Sequence, residues 1–143
     1  MKTIDPTLKF FLNLTMVQAV MSRRFDAKLC LHSISLNDFM ILLHLNNAPA
    51  QRLRRIDLAE KVGLTASGVT RLLAPLEKIG MIKSEAAERD ARVRFVKLAK
   101  GGARILKDAT ATAEETANYI FHGDARKLED ATKLLIELGG SVN

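Results

Sequence analysis

The sequence predicts a mainly α-helical protein with one small β-hairpin. Apolar residues recur at the three- and four-residue spacing of helices along most of the chain. Only residues 82–98 change to short stretches with β character around a charged centre. A chain of 143 residues, 48% of them hydrophobic, is sufficient to bury the core of one globular unit.

The composition excludes several classes of protein. The single cysteine, Cys30, rules out a disulfide framework and a CxxC zinc module. The most apolar stretch, residues 10–21, is interrupted by polar side chains, whereas a membrane span needs about twenty apolar residues. No signal-peptide cleavage site follows it. We therefore expect a cytoplasmic protein without a membrane partner.

The first helix is predicted to begin at Asp5 and Pro6. Asp caps exposed N–H groups, and Pro at the first helical position has no N–H that needs a partner. The helix is expected to run to about Leu31, with apolar residues on more than the single stripe that packs on one core. Another surface must cover the remainder of this face.

A second helix is expected from Ser35 to about Leu45. Ser35 and Asp38 resemble a capping box, with Asp in place of the usual Glu or Gln. Residues 46–49, Asn-Asn-Ala-Pro, close the helix.

Residues 54–62 and 65–79 predict two further helices joined by Gly63 and Leu64. Gly63 permits the positive φ of a tight helix exit, and Thr65 can cap the second of the two. After the hairpin, a helix is predicted over about 103–121. Asp124 can cap a last, amphipathic helix that follows it.

The two helices joined at Gly63 have the packing plan of a helix-turn-helix. Small Ala59 allows the helices to cross closely, while apolar residues form the seam between them. Such motifs present the N-terminus of the second helix to base edges in the major groove. The candidate DNA contacts on this helix are Thr65, Ser67, Thr70 and Arg71.

The hairpin that follows directly is basic at its turn. A helix-turn-helix followed by a β-hairpin is a winged helix, and an Arg at the wing tip can enter a minor groove of negative potential. Arg92 is the predicted tip residue, with Arg89 and Arg94 beside it. Asp90 is expected to pair with Arg92 or Arg89 and hold the guanidinium in position, since phosphates repel a carboxylate.

The distribution of charge agrees with this placement. Residues 51–107 carry fourteen basic and six acidic side chains and so have a net charge of +8, whereas the whole chain has a net charge of +6. Arg52, Arg54 and Arg55 precede the helix-turn-helix and are candidates for phosphate contacts, with simple solubilisation as the alternative.

At this point the chain resembles the MarR family of winged-helix transcriptional regulators. The similarity covers nearly all 143 residues and is most specific in DLAEKVGLTASGVTRLLAPLEKIGMI and in the wing exit DARVRFVKL. It implies a winged-helix domain over 35–100, flanked by dimerisation helices over 1–34 and 101–143. It also implies a homodimer on a pseudo-palindromic site, usually as a repressor, released by a small anionic or phenolic effector or by an oxidant.

Three residues depart from the family pattern. Ala99 stands where a hydroxyl usually caps the first C-terminal helix. The helix near Arg54 has no capping side chain, which leaves Asp57 alone to favour its positive end. Pro75 lies inside the recognition helix and is expected to kink it beyond Arg71.

The family geometry places a ligand pocket between the dimer layer and the DNA-binding lobe. The predicted lining residues are Met16, Met21, His32 and Phe39. Cys30 is expected to be a buried structural cysteine, with a redox sensor as the alternative. A metal site built from Cys30 and the three histidines is the weaker alternative, since no HxxxH or CxxC spacing supports it.

Two rival functions remain. A winged helix of this charge can bind an acidic protein instead of DNA, and salt-dependent duplex binding distinguishes the two. An enzyme is not expected, because no nucleophile, base and orienting group occur at a recognisable spacing. No cofactor is expected either.

Overall fold

The computed structural model describes residues 2–143, which form six α-helices and a three-stranded sheet. The helices are α1 (Pro6–Leu29), α2 (Leu36–Asn47), α3 (Arg55–Val62), α4 (Ala66–Lys78), α5 (Lys100–Ile120) and α6 (Ala125–Glu137). The strands are β1 (Arg52–Arg54), β2 (Ile82–Ala86) and β3 (Arg94–Leu98). The predicted mainly helical fold with a β wing is therefore confirmed. No helix in this range combines the length and hydrophobicity that a membrane crossing requires.

The predicted helix starts are confirmed by their caps. The Asp5 carboxylate accepts the N–H of Thr7 at 2.9 Å, at the start of α1. The Ser35–Asp38 capping box is complete, since the Asp38 N–H donates to Ser35 Oγ at 3.1 Å and the Ser35 N–H to Asp38 at 2.9 Å. Asp124 caps α6 in the same way as Asp5 caps α1.

The end of α1 and the start of α5 differ from the prediction. α1 ends at Leu29, because residues 30–32 tighten into a 3₁₀ turn before Ser33, whose φ is 60°. α5 begins at Lys100 rather than 103, without a side-chain cap at Ala99. α4 continues across Pro75 from Ala66 to Lys78, and the kink expected beyond Arg71 stays a prediction.

The sheet has one strand that the sequence did not predict. β1 pairs antiparallel with β3, which also pairs with β2, so the strand order is β1-β3-β2. With three residues, β1 is too short for a recognisable alternating pattern. It is a strand because β3 supplies the pairing partner. β1 is an edge strand of the sheet and directly precedes α3.

One apolar core joins α2, α3 and α4 to the inner face of the sheet. Its fully buried side chains are Leu29, Ile41, Leu42, Leu45, Leu58, Val69, Leu73, Ile82 and Val96. α5 packs on this core through Leu106 and Ala109. The first turn of α5 approaches β2 so closely that a Cβ on Gly102 would overlap the Met81 carbonyl oxygen.

The outer layer of α1 and α6 remains largely uncovered in the single chain. α6 buries none of its residues. Exposed apolar side chains lie along both helices, at Leu8, Phe11, Leu12, Met16, Val17, Leu128, Leu134, Leu135 and Ile136. The surplus apolar face of α1 that the sequence indicated is exposed in the single chain, and the surface expected to cover it stays a prediction.

The C-terminal segment after α6 returns to the helix-turn-helix. Ser141 Oγ donates to the Lys61 carbonyl at 2.7 Å, in the last turn of α3. The same hydroxyl lies 3.5 Å from His44 Nε2 on α2. Burial, and secondarily the charge of Lys61, lower the pKa of His44 below its ordinary value. The outer layer and the helix-turn-helix are thus connected near the turn that orients α4.

Protonation of His44 should destabilise the fold at acidic pH. A histidine with a lowered pKa in the folded state contributes its stability above the unfolded pKa of about 6.5 and loses it as pH falls below that value. The loss is at most about 1.4 kcal/mol per pH unit for one proton. Denaturant unfolding between pH 7.5 and 5.5 should show a steeper fall for the wild type than for His44→Gln. His32 and His122 are present in both proteins, so parallel profiles would contradict the assignment.

Candidate nucleic-acid interface

The turn between α3 and α4 has the geometry of a helix-turn-helix. Gly63 has φ 69°, and the Leu64 N–H returns to the Ala59 carbonyl at 3.0 Å, which closes the end of α3. Thr65 Oγ1 then accepts the Gly68 N–H at 3.0 Å and starts α4. Both roles follow the sequence prediction. The turn fixes the direction in which the N-terminus of α4 leaves the core.

The first turns of α4 present a polar, solvent-exposed face. Ser67, Thr70 and Arg71 are all exposed. The Thr70 hydroxyl donates to the Ala66 carbonyl at 3.0 Å, which leaves its lone pairs free to accept from a ligand. The Thr65 hydroxyl is engaged as the cap and lies 3.3 Å from Ser67 Oγ. Within residues 2–143, Arg71 forms no side-chain hydrogen bond or ion pair, so its guanidinium remains available.

The wing tip is organised by Asp90, as the sequence predicts. Arg92 Nε and Nη2 donate to the two carboxylate oxygens of Asp90 at 3.1 and 3.3 Å, and its backbone N–H donates at 3.0 Å. The Arg92 side chain, and then its backbone N–H, lower the pKa of Asp90. The Arg92 side chain is still 92% exposed, and Arg89 is exposed beside it. The carboxylate therefore orients the guanidinium without removing it from solvent.

A basic groove of about 360 Å³ lies between α4 and the wing. Four arginines from two parts of the chain line it, together with Thr70: Arg54, Arg55, Arg92 and Arg94. Ile56, Ala66 and Val93 complete the lining; the sequence reasoning did not select these three. Thr65, Ser67, Arg71, Arg89 and Asp90 lie outside the groove, on the adjoining surfaces of α4 and the wing tip.

Arg54 is already paired at the edge of the groove. Its Nε donates to Asp57 at 2.8 Å and its Nη2 at 3.3 Å. This hydrogen bond, and then the charge of Asp57, raise the pKa of Arg54. Asp57 was expected only to interact favourably with the positive end of the α3 dipole. It also holds the Arg54 side chain in position. The sequence signal was the i, i+3 spacing of the pair.

Arg55 has a different environment from the solvated cation that its sequence position suggested. Its Nη2 donates to Ser84 Oγ at 3.1 Å, and its Nε is buried without a hydrogen-bond partner in the described structure. Ser84 in turn donates through its hydroxyl to Glu77 at 3.2 Å and through its N–H at 3.1 Å. The three side chains thereby connect the start of α3, the end of α4 and β2. Sequence reasoning missed Ser84 and Glu77, because their separation gives no periodic signal.

The second candidate site is a cavity of about 570 Å³ between α1 and α5. Its polar lining is Arg24, Lys28, Thr112, Glu115, Thr116 and Tyr119, and Ala27, Leu31 and Ile120 complete it. None of the four predicted pocket residues lines this cavity. Met16 is 64% exposed and Phe39 belongs to the core. His32 contacts the lining, since its Nε2 lies 2.7 Å from Oγ1 of the lining residue Thr112.

Cys30 is exposed, so the prediction of a buried structural cysteine is wrong for the single chain. The 3₁₀ turn that ends α1 rotates the residue away from the core, and its thiol donates to the Ala27 carbonyl at 3.2 Å. Within residues 2–143, no three His, Cys, Asp or Glu side chains form a group that could hold a metal ion.

Comparison with known proteins agrees with this geometry. The MarR family model matches residues 34–93, which contain the helix-turn-helix, β2 and the wing turn. Among solved structures, the chain is similar to Sco3205, a MarR family transcriptional regulator from Streptomyces coelicolor in complex with DNA. That likeness has a TM-score of 0.83 and 18% identity and covers 96% of this chain and 89% of the other.

Two further structures have the same fold. One is a mutant MarR from E. coli complexed with operator DNA, with a TM-score of 0.82 and 19% identity over 96% of this chain and 99% of the other. The second is CouR from Rhodococcus jostii RHA1 bound to p-coumaroyl-CoA, with a TM-score of 0.78 and 16% identity over 90% of this chain and 88% of the other.

Ser84→Ala should loosen the connection between the wing and the recognition helix. The variant leaves the half-buried Arg55 guanidinium and the exposed Glu77 carboxylate each without one hydrogen-bond partner. Only the Arg55 group is shielded from solvent, so we expect a loss of about 1 kcal/mol. Chemical denaturation gives the loss, and a double-mutant cycle with Glu77→Gln should give a non-additive coupling. Additive losses would mean that Ser84 and Glu77 do not act together.

Proposed function

We propose that this chain, whose residues 34–93 match the MarR family model, is a dimeric sequence-specific DNA-binding transcriptional regulator whose affinity for DNA responds to a small effector. The groove between α4 and the wing is the observation that carries the proposal. It brings four arginines beside an exposed helix N-terminus, an arrangement suited to one phosphate backbone and the base edges next to it.

The residues of the interface would divide into two roles. Arg71, Ser67 and Thr70 lie at the exposed end of α4 and would read base edges, with Arg71 suited to the O6 and N7 acceptors of guanine. Arg54, Arg55 and Arg94 would contact phosphates, which positions the protein without reading sequence. Arg92, held by Asp90 and flanked by Arg89, would enter the flanking minor groove. Thr65 would contribute by capping α4.

The dimer would be formed by the outer layer. The exposed apolar side chains of α1 and α6 lie outside the DNA-binding lobe, and exposed apolar patches mark interaction sites. We propose that residues 1–34 and 101–143 form the dimerisation layer and residues 35–100 the DNA-binding domain. A two-fold axis would then place two α4 helices in successive major grooves, about 34 Å apart, on a pseudo-palindromic site.

The cavity between α1 and α5 is the proposed effector site. Arg24 and Lys28 supply positive charge and Tyr119 an aromatic ring and a hydroxyl, which suits a small anionic or phenolic molecule. One wall belongs to α1 of the outer layer and the other to α5, which packs on the core. A ligand that prefers one spacing of these helices would alter the separation of the two α4 helices. Repression relieved by the effector is the regulatory mode that we propose.

Arg71→Ala and Arg92→Ala should have different effects on DNA binding. Arg71→Ala should relax the base preference at one position per half-site, at a cost of about 1 to 3 kcal/mol on the preferred sequence. Arg92→Ala should weaken binding to all sequences and reduce the slope of log K against log salt by about 0.9 per phosphate contact. Selection from a randomised duplex pool followed by salt titrations measures both.

The rival of an acidic protein partner is tested in the same experiment. Lys107 on α5 is an exposed cation outside the groove, so Lys107→Gln is the control and should retain the wild-type preference. If the wild type selects no sequence from the pool, or if all three variants behave like the wild type, the assignment of the DNA interface is wrong.

A charge placed in the outer layer should dissociate the dimer. Leu135 on α6 is 42% exposed, and Leu135→Asp would bury an unpaired carboxylate at the proposed interface, which is strongly unfavourable. Analytical ultracentrifugation should show the mass of a dimer for the wild type and of a monomer for the variant. Ile79→Asp, on a residue 58% exposed in the DNA-binding lobe, is the matched control and should remain dimeric. A monomeric wild type would refute the dimer.

A phenolic acid should stabilise the protein through the α1–α5 cavity. With p-coumarate as the probe, the midpoint of thermal unfolding should rise with concentration, because a ligand that binds only the folded state adds RT ln(1 + [L]/Kd). Arg24→Gln combined with Lys28→Gln should abolish the rise. Arg23→Gln removes an exposed cation that does not line the cavity and should preserve it. An equal rise in all the proteins would exclude this cavity as the site.

A further inference from the structure

A row of three like charges crosses the outer face of the sheet. Arg52 on β1 is paired with Lys97 on β3, and Lys97 is paired with Lys83 on β2. Residues paired directly across antiparallel strands point to the same face. The neighbouring row, Leu53, Val96 and Ser84, faces the core side, so the cationic row faces away from it.

This row is unfavourable for the isolated chain. Like charges directly opposite each other on neighbouring strands are destabilising, whereas opposite charges at such positions stabilise a sheet. Glu85 is the carboxylate on this face of β2, and it pairs with Arg52 at 3.6 Å. Within residues 2–143, neither Lys83 nor Lys97 forms an ion pair.

A fourth cation extends the row at its end. Lys100 is the first residue of α5, where Ala99 provides no side-chain cap and the first turn contains no acidic residue. A positive side chain at a helix N-terminus is repelled by the helix dipole. Lys83, Lys97 and Lys100 surround a depression of about 340 Å³, with Gln51 and Glu85 also in its lining. We name Arg52, Lys83, Lys97 and Lys100 the sheet surface.

The sheet surface is continuous with the basic groove. Arg54, which lines the groove, lies on the same face of β1 as Arg52. Phe95 is paired with Arg54 on the same face, and the Arg52 guanidinium stacks over its ring at 4.4 Å from the centroid. The stack covers the aromatic ring, so this face presents charge rather than the exposed aromatic anchor that a protein interface uses.

From these observations we propose that the sheet surface binds the phosphate backbone of duplex DNA beyond the site read by α4 and the wing. The proposal rests on the proposed function, since it extends the same DNA contact outward. A polyanion would neutralise a row of charges that the free protein holds together at a cost. The contact would add affinity and salt dependence without adding sequence preference.

Duplex length provides the test. A site selected from a randomised pool is trimmed to the shortest duplex that retains the sequence preference, and a second duplex adds about ten base pairs, one helical turn, at each end. The wild type should bind the long duplex more tightly. Lys83→Gln combined with Lys97→Gln should bind the short duplex like the wild type and lose the gain on the long one, roughly two- to fivefold per lysine at low salt.

Three controls accompany the measurement. Lys107→Gln removes an exposed lysine elsewhere on α5 and should keep the gain from the long duplex. The salt slope on the long duplex should fall by about 0.9 for each lysine–phosphate contact removed. The double variant should unfold at a temperature no lower than the wild type, because it removes cross-strand repulsion.

Several results would overturn the proposal. The wild type binding both lengths equally, or the double variant keeping the full gain, would show that the sheet surface does not contact flanking DNA. An equal loss on both lengths would place the lysines in the central site. A double variant that keeps the gain and loses binding to polyglutamate would assign the surface to an acidic protein. No selected sequence for the wild type would refute the proposed function itself.

Discussion

The shared apolar core under α3, α4 and the sheet is the constraint on which the functional surface depends. Leu58, Val69 and Val96 are fully buried in it, and each comes from a different element of the DNA-binding lobe. Close packing allows little relative movement of such elements, because any gap forfeits contacts on several side chains at once. The position of the wing relative to α4, and hence the width of the groove, follows from that packing.

Polar contacts then determine which cations of the groove are free. Arg54 is held by Asp57, Arg92 by Asp90, and Arg55 by Ser84, so these guanidinium groups are oriented before any ligand arrives. Oriented donors lose less conformational entropy on binding than free side chains. Arg71 has no such contact within residues 2–143 and retains its rotamer freedom. The positioning contacts therefore belong to the groove, and the adaptable contact belongs to the exposed end of α4.

The outer layer is apolar, unlike the basic groove. α1 and α6 carry apolar side chains that the single chain leaves exposed, and the C-terminal segment returns from α6 to contact Lys61 beside the Gly63 turn. The outer layer therefore meets the rest of the chain at two places, at Ser141 and at α5, which packs on the core through Leu106 and Ala109.

The sequence by itself determined the caps at Asp5, Ser35, Thr65 and Asp124, the glycine turn at Gly63 and the Asp90–Arg92 pair. These are contacts between residues a few positions apart, and local spacing is sufficient to recognise them. Only the tertiary structure decided that residues 52–54 form a strand, that Ser84 contacts both Arg55 and Glu77, and that Cys30 is exposed. It also decided that the lining of the α1–α5 cavity contains none of Met16, Met21, His32 and Phe39. Those features depend on which distant segments pack together, and the periodicity of a single chain carries no record of that pairing.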